Sequence, residues 1–148
     1  MAALAVLGAG AWGTALAAAL STRHRVILWA RDAAQARAIA TSRRNLRYLP
    51  EIELPENLLV THEAHAALSG ADLALLATPV AGLRETLTRV AGIPFVWLCK
   101  GFEQQSAALP HEIAAAANMR APCGALSGPS FALEVARGLP CALTLAAA

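Results

Sequence analysis

Ala3-Leu4-Ala5-Val6-Leu7-Gly8-Ala9-Gly10-Ala11-Trp12-Gly13-Thr14-Ala15-Leu16 is an apolar run that breaks into three glycines and resumes as a helix-forming stretch. Glycines at this spacing, between a strand and a helix, form a loop that cradles a pyrophosphate. Gly8 lets the chain leave the strand in a tight turn, Gly10 lets the backbone approach phosphates, and Gly13 lets the helix pack against the sheet. The amides of the first helical turn then point at the ligand, and the helix dipole adds partial positive charge there. Spacing alone is weak evidence in an alanine-rich chain with 10 glycines, which can use the same pattern for helix packing. The next apolar run, residues 26–29, completes a strand-helix-strand unit of the expected length and favours dinucleotide binding.

Composition bounds the rest. A chain of 148 residues holds one domain with a substantial core. Hydrophobic residues make up 57% and charged residues 15%, which fits a packed globular chain and excludes a disordered one. The net charge of +2 gives no electrostatic case for nucleic acid. The first 22 residues carry no charged side chain, yet three glycines interrupt them and no basic segment follows Met1. A signal peptide or membrane span therefore fits poorly, and a cytoplasmic protein is expected. Cys99, Cys123 and Cys141 are odd in number, widely spaced and set in apolar segments, which reads as reduced core cysteines.

Apolar runs recur at residues 3–7, 26–29, 58–61, 73–77, 95–98, 124–126 and 142–145, mostly without strict alternation. Strands buried on both faces look like this. Helical composition separates them at 14–20, 32–42 and 80–90, with room for only a short helix at 63–68. The expected architecture is α/β, a doubly wound, Rossmann-like, mostly parallel sheet with helices on both faces. Residues 43–55, with two prolines, a tyrosine and three arginines, read as a long connection, either functional or simply solvated surface.

Ligands of such sheets sit beyond the carboxyl ends of the strands. Those ends carry the glycine loop, Arg31 and Asp32, Thr78 and Pro79, Lys100 and Gly101, and Ser127-Gly128-Pro129-Ser130. A carboxylate after the second strand accepts from a ribose hydroxyl, whereas an arginine favours the extra phosphate of NADP. Arg31 precedes Asp32, which favours NADPH with NADH tolerated; Asp32 is equally a candidate helix N-cap. Lys100 is placed to hold an anionic substrate or polarise a carbonyl, with an ordinary exposed lysine as the alternative. Ser130 offers a hydroxyl to a ligand or to a helix start. His62 and His65 have no third partner of metal-ligand spacing, so no metal site is expected.

The glycine loop with Trp12 and the following Thr14-Ala15-Leu16-Ala17, then Tyr48-Leu49-Pro50 with Leu54-Pro55, Lys100-Gly101-Phe102-Glu103, and Leu126-Ser127-Gly128-Pro129-Ser130-Phe131-Ala132 with Glu134-Val135-Ala136, occur here in one order. The chain resembles bacterial glycerol-3-phosphate dehydrogenase [NAD(P)+] over its whole length. The resemblance implies hydride transfer between NADPH or NADH and dihydroxyacetone phosphate, giving sn-glycerol 3-phosphate for phospholipid synthesis. It implies that Gly8, Gly10, Ala11, Trp12, Gly13, Arg31, Asp32, Pro79, Lys100 and Ala132 bind the cofactor. Lys100, Gly128 and Ser130 would meet the substrate. Ala11 stands where many relatives have serine, and a ring packed against the sheet is an equal reading for Trp12. The family continues into a helical domain that supplies the principal acid/base lysine and further substrate contacts. Residues 1–148 are thus expected to be the NAD(P)-binding domain alone, nearly inactive and prone to self-association through uncovered apolar surface. A related hydroxy-acid reductase and a non-catalytic NAD(P)H-sensing module are the alternatives.

Overall fold

The computed structural model describes residues 1–90, 92–117 and 120–147. Seven strands, β1 (Ala3–Leu7), β2 (Arg25–Trp29), β3 (Leu59–Thr61), β4 (Leu73–Leu76), β5 (Phe95–Trp97), β6 (Cys123–Ser127) and β7 (Thr144–Ala147), form one sheet in the order β3-β2-β1-β4-β5-β6-β7. All neighbours pair in parallel except β6 and β7, which are antiparallel. The seven apolar runs thus become the seven strands, with ends displaced by up to two residues.

Side chains alternate across the sheet and both faces of its central strands are covered, which explains their near-continuous apolar runs, whereas β7 is exposed. Leu4, Val6, Val26, Leu28, Leu75 and Val96 pack on one face with Ala17 and Ala18 of α1 (Ala11–Ser21) and Ala36 and Ile39 of α2 (Ala33–Ser42). Ala5, Leu7, Ile27, Trp29, Leu76, Phe95 and Trp97 pack on the other. Their partners come from α3 (Ala64–Leu68), α4 (Val80–Leu87) and α5 (Pro110–Ala116). Each fully buried large side chain, such as Leu7, Leu28 or Phe95, stabilises the fold by about 2 kcal/mol through removal from water. The last helix, α6 (Ala132–Ala136), lies against the outer side of α1, where Val135 joins Ala15, Leu16 and Leu49 in a third cluster.

Two segments differ from expectation. Helix α5 has no counterpart in the sequence reading, although Pro110 sits at its start and Glu112 accepts from the Leu109 amide at 2.8 Å, both of which mark a helix N-terminus. Cys141 is exposed and is not a core residue, because it lies on the open approach to the edge strand β7; Cys99 and Cys123 are half-buried, and all three thiols are free.

Order 3-2-1-4 reverses the direction of chain progress between β1 and β4, so the loops after these two strands diverge and leave a crevice. The glycine loop enters it from β1. Gly8 has φ +119°, and a Cβ there would stand 2.7 Å from the Ala77 carbonyl oxygen after β4. A Cβ on Gly13 would stand 1.8 Å from the Gly8 carbonyl oxygen, so only glycine lets α1 dock this close to the end of β1. We expect Gly13→Ala to lose about 3 kcal/mol of stability through overpacking; a urea midpoint equal to that of the unmodified chain would refute this contact.

Candidate functional site

The crevice is a cavity of about 820 Å³ at the carboxyl ends of β1, β2, β4, β5 and β6. Its floor is the glycine loop, and its walls include Arg31 and Asp32 after β2, Thr78 and Pro79 after β4, Cys99 and Lys100 after β5, and Ser127 and Gly128 at β6. Nine of the sequence candidates line it: Gly8, Gly10, Ala11, Trp12, Arg31, Asp32, Pro79, Lys100 and Gly128. Gly13 lies buried behind the loop. Ser130 and Ala132 lie off the wall. The Ser130 hydroxyl donates to the Ala142 carbonyl and accepts from the Ala142 amide, both at 3.2 Å, tying the turn after β6 to the approach to β7. The cap position of α6 is Phe131, so Ser130 does not cap it.

The loop is built to receive anions. Gly10 is the N-cap of α1, and the first backbone bond of the helix runs from the Thr14 amide to the Gly10 carbonyl at 3.0 Å. The amides of Ala11, Trp12 and Gly13 precede that bond and have no carbonyl within the helix to meet. No acidic residue occupies the first turn of α1. The three glycines now separate. Gly8 and Gly13 are required by neighbouring backbone, whereas a Cβ on Gly10 would meet nothing within 4 Å and Gly10 has ordinary extended torsions. The surrounding protein does not explain Gly10; a group entering from the cavity does. The residues present therefore fit a pyrophosphate.

Around the floor stand Arg31, Arg47, Arg89 and Lys100 against Asp32 and Glu85. Arg89 is paired with Glu85 at 2.9 Å, which leaves an excess of positive charge at the mouth. Asp32 accepts from the Ala34 and Gln35 amides at 2.7 and 3.2 Å, so it caps α2 through one oxygen while lining the cavity. Trp12 lines the cavity and also packs beside the cluster of Ala15, Leu16 and Leu49 on the outer side of α1. Burial pushes the Cys99 thiol up, keeping it protonated.

Several wall residues escaped the sequence reading. Arg47 and Tyr48 come from the long connection, with the Arg47 guanidinium 5.0 Å from the Tyr48 ring centre. Trp29 ends β2, donates its indole N–H to the His62 carbonyl at 2.8 Å, and lies under Arg89 at 5.6 Å. Neither had a local signal: a tyrosine in a loop and a tryptophan at a strand end acquire a site only through tertiary placement. Among the described residues no group of three or more His, Cys, Asp or Glu side chains could hold a metal, and no helix is long and apolar enough to cross a membrane.

The family model for the N-terminus of NAD-dependent glycerol-3-phosphate dehydrogenase matches residues 3–148. The chain belongs to this family. Glycerol-3-phosphate dehydrogenase [NAD(P)+] of Leptothrix cholodnii is 50% identical and that of Methylibium petroleiphilum 54% identical, each across 97% of this chain. The chain spans only 47% and 45% of those two relatives, so it corresponds to slightly less than half of each. The crystal structure of glycerol-3-phosphate dehydrogenase from Coxiella burnetii superposes with a TM-score of 0.89 at 36% identity, covering 97% of this chain and 46% of that one.

The family's Lys100-Gly101-Phe102-Glu103 segment is held by its last residue. Glu103 accepts from Arg84 of α4 through both oxygens, at 3.1 and 2.8 Å, and from the Ser106 hydroxyl at 2.5 Å. The Arg84 hydrogen bonds, followed by that from Ser106, hold the Glu103 carboxyl at about 2, below its ordinary 4.5. A lowered carboxyl pKa stabilises the fold above the unfolded value and loses that contribution as pH falls through the folded one. The stability advantage of the unmodified chain over Glu103→Gln is therefore expected to be full above pH 4.5 and to vanish on acidification to about 2, read from denaturation at each pH. A pH-independent difference between the two would exclude the carboxylate clamp.

Proposed function

We propose that residues 1–148 are the dinucleotide-binding domain of an enzyme that interconverts dihydroxyacetone phosphate and sn-glycerol 3-phosphate with NADPH or NADH. The observation that carries this reading is Gly10, whose missing side chain is matched by open space facing a basic-rimmed cavity and by no protein atom. Family membership supports the cofactor class and the substrate. When bound, the nicotinamide supplies or takes up the hydride.

The chain's own residues bind and orient. The amides of Ala11 and Trp12 meet the pyrophosphate over Gly8, Gly10 and Gly13. Arg31 holds the ribose end and its extra phosphate, while Asp32 keeps its second oxygen for a ribose hydroxyl. Pro79 lines the cavity that would hold the cofactor, whereas Ala132, off its wall, is carried as a cofactor contact by the family resemblance alone. Lys100 emerges exposed at the end of β5 and holds the substrate beside it, with Gly128 and Ser130 presenting the turn after β6. Hydride transfer needs in addition an oriented carbonyl and a proton donor. We assign these to the helical domain of the family, which makes this domain a cofactor holder with negligible turnover alone. The free cysteines suit a reducing, cytoplasmic compartment, and the small net charge suits small-molecule partners and not nucleic acid.

Titration of the 148-residue chain by calorimetry is expected to give binding of NADPH tighter than NADH, with Arg31→Ala weakening NADPH about tenfold and abolishing the preference. In the same preparation, steady-state oxidation of NADPH by dihydroxyacetone phosphate would overturn the division of labour.

Self-association is the second expectation. All of β7 is exposed, and Leu143 and Leu145 at this edge lie near exposed Phe131 and Leu139 in sequence. An open strand edge beside apolar surface is a template for pairing. Light scattering is expected to detect dimers or larger species at high concentration; a strictly monomeric chain would contradict this.

A further inference from the structure

The Ala9 carbonyl, inside the glycine loop, is held by two side-chain amides from distant parts of the chain. Asn45 Nδ2 donates to it at 2.9 Å and Gln35 Nε2 at 3.1 Å. Asn45 is 1% exposed and gives its second amide hydrogen to Thr14 Oγ1 at 2.8 Å. It is itself anchored, because its backbone carbonyl accepts from Leu49 at 2.8 Å and Leu49 is buried beside Ala15, Leu16 and Val135.

In a trans peptide the carbonyl and the following amide point in opposite directions. Holding the Ala9 carbonyl toward the buried Asn45 therefore turns the Gly10 N–H the other way, toward the cavity that Gly10 lines. The two hydrogens on one neutral amide nitrogen serve both Ala9 and Thr14, so the buried asparagine leaves neither donor unused. An aspartate would set a carboxylate against the Ala9 carbonyl and free the peptide plane to rotate.

We propose that Asn45 is a positioning residue that orients the Ala9–Gly10 peptide so that the Gly10 amide receives a phosphate oxygen. This rests on the dinucleotide reading above. Residues 43–55 thereby acquire a role in affinity through contacts made behind the loop, in addition to the surface that Arg47 and Tyr48 add to the cavity wall. A loop released from this anchor populates the binding-competent conformation less, and apparent affinity falls by that fraction.

The test compares NADH, ADP-ribose and adenosine on the 148-residue chain. Asn45→Asp is expected to weaken NADH and ADP-ribose about tenfold while leaving adenosine unchanged, because adenosine carries no phosphate. Asn57→Ala is the control for stability alone, since the Asn57 amide ties the same connection to the Ser21 carbonyl at 2.6 Å, remote from the loop; it should lower the melting temperature and leave all three affinities intact. If Asn45→Asp does not fold, Gln35→Ala removes the other donor to Ala9 and, because Gln35 also lines the cavity, should weaken the two pyrophosphate ligands about threefold more than it weakens adenosine. Equal weakening of all three ligands, or none, would overturn the role of Asn45. Failure of the unmodified chain to bind NADH or ADP-ribose would instead overturn the dinucleotide reading beneath it.

Discussion

Helix α1 meets the end of β1 at a distance that no side chain could occupy. Everything else in the site follows from that contact between Gly13 and the Gly8 carbonyl. It sets the amino end of the helix over the point where strand order reverses, so its unpaired amides face the crevice and not bulk solvent. A helix docked one side chain further out would keep the same hydrogen bonds and lose the geometry. The alanine-rich composition of α1 continues the principle, since Ala17 and Ala18 are buried against the sheet and keep the helix close, while Ala15 on the other side lets α6 pack closely.

Close docking leaves the loop itself to be fixed, and this is done from outside the local unit. Asn45 and Gln35 reach the same carbonyl from positions 36 and 26 residues away. The connection that carries Asn45 is in turn secured by Arg43, whose guanidinium donates to the Pro55 and Leu58 carbonyls, and by the 2.5 Å ion pair between Glu51 and Arg137 just after α6. An apparently irregular segment is thus tied at several points to the rest of the fold.

What was legible in the sequence is what depends on near neighbours. Buried strands announce themselves through unbroken apolar runs, and the glycine loop through its place between strand and helix. Arg31, Lys100 and Gly128 were reachable because the fold dictates which ends of the strands face the crevice. Asn45 and Trp29 were not, because their roles arise from contacts across the fold, and Tyr48 stood in a recognised segment with no role attached to it. Helix α5 was hidden for another reason: its short alanine-rich turn has little amphipathic pattern, and its start signals, Pro110 and Glu112, were not read as such. The glycines show the same boundary. Their spacing predicted one loop, but only the packing separates the two that fit against protein from the one that faces open space. Ser130, read as a ligand contact or a cap, does not cap α6, and its hydroxyl bonds to a residue twelve positions on.

The packing of α6 against α1 has a consequence for how this chain folds. The outer side of α1, with Trp12 and Leu16, is covered by residues far along the sequence, Leu49 and Val135 among them. The central strand β1 likewise waits for β4, some seventy residues later, to fill its second edge. The strand-loop-helix unit therefore gains its cover through contacts of long sequence separation, the kind that form slowly in folding.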